Sequence, residues 1–220
     1  KKTFLINDAN AAALGEFFFG AAKGARHFIY ITLSTGIGGG IVIDGKIYTG
    51  AIGTAGEIGH MTIDVEGPLC NCGNRGCWEA MASGTALARE ARYRINEGAR
   101  TSILDYSDDS INNITAEVVH KAAQNGDALA EELIARVGYY VGVGLANLLN
   151  LFNPEVVAIG GGLSHIGDML LEPAFRVTRE KAFKPSFESV RFTHAELGRN
   201  SGVLGAAAFA LEEMKKKNER

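Results

Sequence analysis

The chain has 220 residues, with 22 Lys+Arg against 25 Asp+Glu for a formal charge of −3, and 46% hydrophobic residues. Such a balance excludes the large basic footprint that DNA, RNA or an anionic membrane selects, and a chain this long and apolar buries roughly 70% of its unfolded surface, which excludes wholesale disorder. No run approaches the ~18 apolar residues of a membrane span, and the start, Lys1-Lys2-Thr3-Phe4-Leu5, lacks a signal-peptide pattern, so a cytoplasmic location is expected. Residue 1 is Lys rather than Met, so the sequence is read as part of a longer protein.

Thr3-Phe4-Leu5-Ile6 reads as a short strand, and Asn7-Asp8 as the cap of an Ala-rich helix over residues 9–19. Residues 28–33 form a buried apolar strand; Gly39 to Ile43, Asp44-Gly45 and Lys46 to Tyr48 read as a hairpin with an Asp-Gly turn. A Gly-rich irregular stretch, residues 50–80, holds all three cysteines. Ser83 opens a helix to about Asn96, Thr115 caps another that pauses at Asn125-Gly126, and Asp127 caps a longer, widely buried one to about Phe152. Pro154 ends it. Val156-Val157-Ala158-Ile159 is a buried strand, Gly160-Gly161-Gly162 turns into a helix over residues 166–181, Val190-Arg191-Phe192 is a further strand, and Asn200-Ser201 caps a last helix ending in a solvated Lys215-Lys216-Lys217 run. Strands followed by helix-strand alternation make this an α/β protein with a mixed sheet.

His60, Cys70, Cys72 and Cys77, with Gly73 and Gly76 between the last two cysteines, form the sharpest pattern. A reducing compartment argues against a disulfide, and three soft thiolates with one imidazole suit tetrahedral zinc. Four protein ligands leave no open position, so the zinc is structural.

Leu33-Ser34-Thr35-Gly36-Ile37-Gly38-Gly39-Gly40 joins two strands with hydroxyls and glycines. It can present amides and hydroxyls to a phosphate, or be a plain tight hairpin. Gly160-Gly161-Gly162 can face a nucleoside or simply connect two elements. Asp8 is either a helix cap or a free carboxylate at a strand end, where α/β folds bind ligands. Glu57 and His60, spaced i, i+3, and Glu79 beside the last cysteine are brought together by zinc closure. They suit a polyol, the alternative being solvated loop carboxylates.

Asn7-Asp8-Ala9-Asn10-Ala11-Ala12, the Leu33 to Gly40 loop, Gly56-Glu57-Ile58-Gly59-His60 and Cys70-x-Cys72-Gly73-x-x-Gly76-Cys77-x-Glu79 together resemble the ROK family of repressors and sugar kinases. The resemblance implies an actin-like, ribonuclease-H-type fold with ligands in a cleft between two lobes. It implies ATP and Mg²⁺ as cofactors beside structural zinc, a hexose as substrate, and Asp8 as the base that takes the proton of the sugar 6-hydroxyl. Asn7, Asp8, Glu57, His60 and Glu79 match hexose-binding positions, with His60 also on zinc. Ser34, Thr35, Gly36 and Gly38 match a phosphate loop, and Gly160, Gly161 and Gly162 an adenosine-side turn. A homodimer is implied, with no nucleic-acid contact in this chain and no membrane.

One motif of family kinases, Asp-x-Gly-Gly-Thr, occurs nowhere in residues 1–220. The resemblance therefore covers about the last two thirds of a member. Residues 1–25 are expected to be a remnant of the first lobe, 26–198 the second lobe with its zinc loop at 60–79, and 199–220 a helix packing toward the first lobe. This chain alone is expected to be a poor kinase. The expected reaction is ATP-dependent phosphorylation of D-glucose; the alternatives are a kinase for fructose or an N-acetylhexosamine, a sugar-sensing repressor, and an inactive fragment folded around zinc.

Overall fold

The computed structural model describes residues 2–218, with side chains as far as Lys215, which is exposed; the side chains of Lys216 and Lys217 lie outside the described residues. Asn7 opens α1 (Asp8–Phe19), its Oδ1 accepting from the Ala9 and Asn10 amides at 2.9 and 3.1 Å. β1 (Phe28–Leu33), β2 (Ile37–Ile43) and β3 (Lys46–Ile47) follow, the last two joined by Asp44 and Gly45 at φ 50° and 75°, the left-handed pair that a two-residue hairpin demands.

α2 (Trp78–Ala82) leads into α3 (Gly84–Asn96), α4 (Ala116–Gln124) and α5 (Ala128–Phe152), the last three capped by Ser83, Thr115 and Asp127 through amides three residues on. β4 (Val156–Gly160), α6 (Asp168–Lys181), α7 (Lys184–Ser189), β5 (Arg191–His194) and α8 (Ser201–Asn218) complete the described chain. No described helix is long and apolar enough to cross a membrane.

The sheet runs β3-β2-β1-β4-β5, with β2 antiparallel to both neighbours and β1, β4 and β5 mutually parallel. This is the mixed α/β sheet expected of the actin-like, ribonuclease-H-type fold. Side chains alternate across it: Ile29, Ile31, Leu33, Val157 and Ile159 join the large core under α5 and α6, whereas Phe28, Tyr30, Val156 and Ala158 join a smaller core under α1. α8 packs along the outside of α1.

The glycines of β2 explain how α1 sits so close. A Cβ at Gly40 would fall on Ala13 Cβ, one at Gly38 would come within 3.3 Å of Ala9 Cβ, and one at Gly39, on the opposite face, would fall on Ile58. The run expected to form one phosphate loop is therefore two things: a short turn at residues 34–36, and a strand stripped of side chains so that a helix and a loop can approach it from both faces.

Two sequence expectations change, and two short helices are added. Residues 3–6 form no strand: no described strand lies alongside to take their hydrogen bonds, and Leu5 is 94% exposed. The helix expected from residue 166 begins at Asp168, after a 3-10 turn over Gly162–Ile166. α2 and α7, of five and six residues, had no readable periodicity.

Candidate functional site

The turn between β1 and β2 is held from two sides. The first amides of α3 reach it, Gly84 N–H donating to Ser34 O at 2.7 Å and Thr85 N–H to Thr35 O at 3.3 Å. Glu79, on α2, accepts from the Ile37 amide at 2.9 Å through Oε2, which occupies the place a side chain at Gly36 would need. With its carbonyls committed, the turn keeps donors in reserve. The Thr35 and Gly36 amides donate to nothing among the described residues, beside the Ser34 and Thr35 hydroxyls. Convergent, unspent donors on a fixed turn are what an anion such as phosphate requires.

On one side of this turn lies a cavity of about 470 Å³. Its wall brings together most of the residues singled out from the sequence: Asn7, Asp8, Ser34, Thr35, Gly36, Gly38, Glu57, His60 and Glu79. Asn7 spends its side-chain oxygen on the helix cap, which leaves its amide NH₂ for a ligand. Asp8 is the first residue of α1; one carboxylate oxygen accepts from the adjacent Ala9 amide at 2.7 Å, and the side chain is otherwise exposed at the cavity. Three carboxylates, an imidazole and an amide around one hollow form an acceptor-rich surface for a polyhydroxylated ligand.

His60 connects that cavity to the sulfur cluster. Its Nδ1 stands 3.7 Å from Cys70 Sγ, Cys72 and Cys77 sulfurs are 3.6 Å apart, and all four ligand atoms lie within 4.8 Å of one another. Tetrahedral zinc with Zn–S bonds of about 2.3 Å spaces its sulfurs by about 3.8 Å, so the cluster fits the metal. The loop is drawn together by Cys70 N–H to Asn74 O at 2.7 Å and Gly73 N–H to Cys70 O at 3.0 Å, with Gly73 and Gly76 at φ 94° and 66°. Burial, reinforced by the Cys72 and Cys70 sulfurs, pushes the Cys77 thiol up to about 12, whereas the Asn74 amide leads the hydrogen bonds that lower Cys72. A divalent cation supplies the charge that three adjacent thiolates need. With Nδ1 turned to the sulfurs, Nε2 is the ring nitrogen left for the cavity.

A second cavity, also about 470 Å³, opens on the other side of the same turn and shares Ser34 and Thr35 with the first. Thr85, Arg92, Glu117, His120, His165 and Gly162 contribute to its wall. Gly160 and Gly161 line neither cavity. A Cβ at Gly160 would stand 3.0 Å from the Tyr30 hydroxyl, and one at Gly161, at φ 89°, would press on Leu33 O, so these two let β4 pass close to β1.

Sequence reasoning missed Tyr30 and Thr32 in the first cavity and Arg92, His120 and His165 in the second. The first two come from alternate positions of a strand that reads as core. The others stand on separate helices and turns with no shared local pattern, so only the fold assembles them.

The model of the ROK family matches residues 1–213. A glucokinase of Halalkalibacterium halodurans is 43% identical over 97% of this chain, and the xylose repressor of Bacillus subtilis is 35% identical over 95% of it. The chain spans 66% of the length of that glucokinase and 50% of that of the repressor. Among solved structures, a ROK family glucokinase from Streptomyces griseus in complex with glucose and AMPPNP superposes with a TM-score of 0.83 at 39% identity, over 93% of this chain and 67% of that one. With the family model matched over residues 1–213, this chain belongs to the ROK family.

Proposed function

We propose that the protein containing this chain is a sugar kinase that transfers the γ-phosphoryl group of ATP to the 6-hydroxyl of a hexose, with D-glucose as the preferred acceptor. The observation that carries this reading is the shared turn: Ser34 and Thr35 belong to both cavities, so a donor in one and an acceptor in the other meet where the unspent amides are. The similarity to glucokinases at 40–43% identity supports the acceptor.

In this reading the Asp8 carboxylate accepts the hydroxyl proton as the sugar oxygen forms its bond to phosphorus and the bond to ADP breaks. Glu57 and Glu79 accept from sugar hydroxyls, Asn7 donates its NH₂, and His60 donates from Nε2 while zinc holds Nδ1. Residues 34–36 donate to the transferring phosphoryl oxygens, and Gly162 borders the nucleotide. Mg²⁺, when bound with ATP, would supply charge neutralisation on the triphosphate. His60, Cys70, Cys72 and Cys77 would hold zinc, which would fix the orientation of His60 toward the sugar and leave the transfer to the other residues. A cytoplasmic homodimer completes the reading, and sedimentation of a monomer would discard the second half of it.

The test is ADP release from ATP and Mg²⁺ across a hexose panel, with the full reading frame and the 220-residue chain side by side. Release that depends on a hexose supports the kinase. The 35% identity to a xylose repressor favours a second reading, in which the same cavity senses a sugar without transferring phosphate. Hexose binding without turnover, coupled to a change in DNA affinity, would select it.

A further inference from the structure

Asn10 stands on α1 two residues beyond Asp8 and is only 2% exposed, yet its side-chain oxygen accepts no hydrogen bond. Buried acceptors are rarely left unpaired, because desolvation is then uncompensated. α1 is seated on the glycines of β2, where a Cβ at Gly40 would come within 3.2 Å of Asn10 Cα.

What Asn10 does face is the loop that carries Glu57. Its Oδ1 lies 3.5 Å from where a Cβ at Gly56 would stand, and Gly56 adopts φ 95° with that same position 3.1 Å from Gly39 O. The positive φ and the close Gly39 carbonyl favour glycine at this point of the loop. Neither the Gly56 nor the Glu57 amide donates a hydrogen bond among the described residues. A buried acceptor without a partner and two unspent backbone donors are therefore neighbours and unjoined. The preceding stretch, residues 50–54, is exposed throughout and packs against nothing that would oppose a small shift of the loop.

We propose that Asn10 is a positioning residue for the acceptor cavity: on polyol binding, the Gly56 and Glu57 segment closes onto Asn10 Oδ1 by one backbone hydrogen bond and holds the Glu57 carboxylate against the sugar hydroxyls. This rests on the reading of the first cavity as a polyol site. The bond is made only in the liganded state, so its free energy appears in sugar affinity and not in the stability of the free protein.

The test compares the wild-type full-length protein with Asn10→Ala, using glucose and the hexose panel as probes. Alanine removes the unpaired oxygen and favours helix. The free variant is expected to melt no lower than wild type. It is expected to bind sugar about tenfold more weakly, the worth of one hydrogen bond. Glucose is expected to slow exchange of the Gly56 or Glu57 amide in wild type and not in the variant.

A free variant that melts several degrees lower, or fails to fold, would show that Asn10 is already bonded without sugar and overturns the proposal. Equal sugar affinity in the two proteins overturns it and leaves the polyol site standing. Unchanged exchange of both amides in wild type at saturating glucose does the same without any variant. If wild type binds no hexose of the panel, the polyol reading fails and the proposal falls with it.

Discussion

Asn7 and Asp8 sit at the same helix start and have separate tasks, because only one oxygen is needed for the cap. The Asn7 oxygen takes two amides, which frees most of the Asp8 carboxylate for the cavity. Glu16, on the same helix, has the opposite fate. It is fully buried and takes four donors: the amides of Ala21, Glu196 and Leu197, and the Ser201 hydroxyl. It thereby pins the far end of α1 to the start of α8. Glu16→Gln replaces one acceptor with an NH₂ that meets a donor, and the expected loss is about 2 kcal/mol in urea unfolding; an unchanged midpoint would contradict the assigned bonds.

Asp127 shows a titratable version of the same device. Burial alone would raise its carboxyl, but the Ala130 and Ser102 amides with the Thr101 and Ser102 hydroxyls outweigh burial and hold it below the usual range. A depressed folded pKa means stability that is full above the unfolded value of about 3.9 and is lost as pH falls through the folded one. Between pH 6 and pH 3, wild type should therefore lose more of its unfolding free energy than Asp127→Asn. Equal losses would remove Asp127 from the acid response.

At the scale of elements, the caps and the metal loop were legible because their causes are local. Ser83, Thr115 and Asp127 each bond an amide three residues away, and the Asp44-Gly45 turn needs only its own two backbones. The cysteine spacing likewise encodes its own closure. Thr3 to Ile6 was misread for the converse reason: a short run of β-formers is a strand only when a neighbour supplies hydrogen bonds. The packing task of the glycines at 38–40 was not legible, because their partners Ala9, Ala13 and Ile58 meet them only in the fold.

The zinc loop carries the element-scale prediction. Cys72→Ser removes one of four ligands, and zinc content by mass spectrometry should fall below one ion per chain. Sugar affinity should drop between about tenfold and a hundredfold, since His60 loses its orientation. Full sugar affinity in zinc-free protein would uncouple the metal from the cavity.

For the whole molecule, α1 is the element on which both structure and chemistry depend. It lies between a glycine-lined strand and α8, and the contact with α8 is backbone on backbone: a Cβ at Gly205 would fall on Ala11 O, and one at Gly15 on Ser201 O. Gly205→Ala should push the helices apart and cost about 1–3 kcal/mol in unfolding experiments. A neutral substitution would mean that the layer is looser than described. Seated this way, α1 presents Asp8 to a cavity whose floor, β1, and whose rim, residues 34–36, belong to the main sheet. The division into two cavities at one turn is a property of the fold that no single segment of the sequence discloses.

Asp8 as the base of a phosphoryl transfer between those two cavities is the proposal on which the kinase reading depends. Its most direct test is to measure kcat for glucose phosphorylation and the Kd for glucose in the full-length protein and in Asp8→Asn. For Asp8→Asn the expected kcat is lower by about 10²- to 10⁴-fold, with glucose affinity held within about threefold. Normal turnover by Asp8→Asn would contradict it.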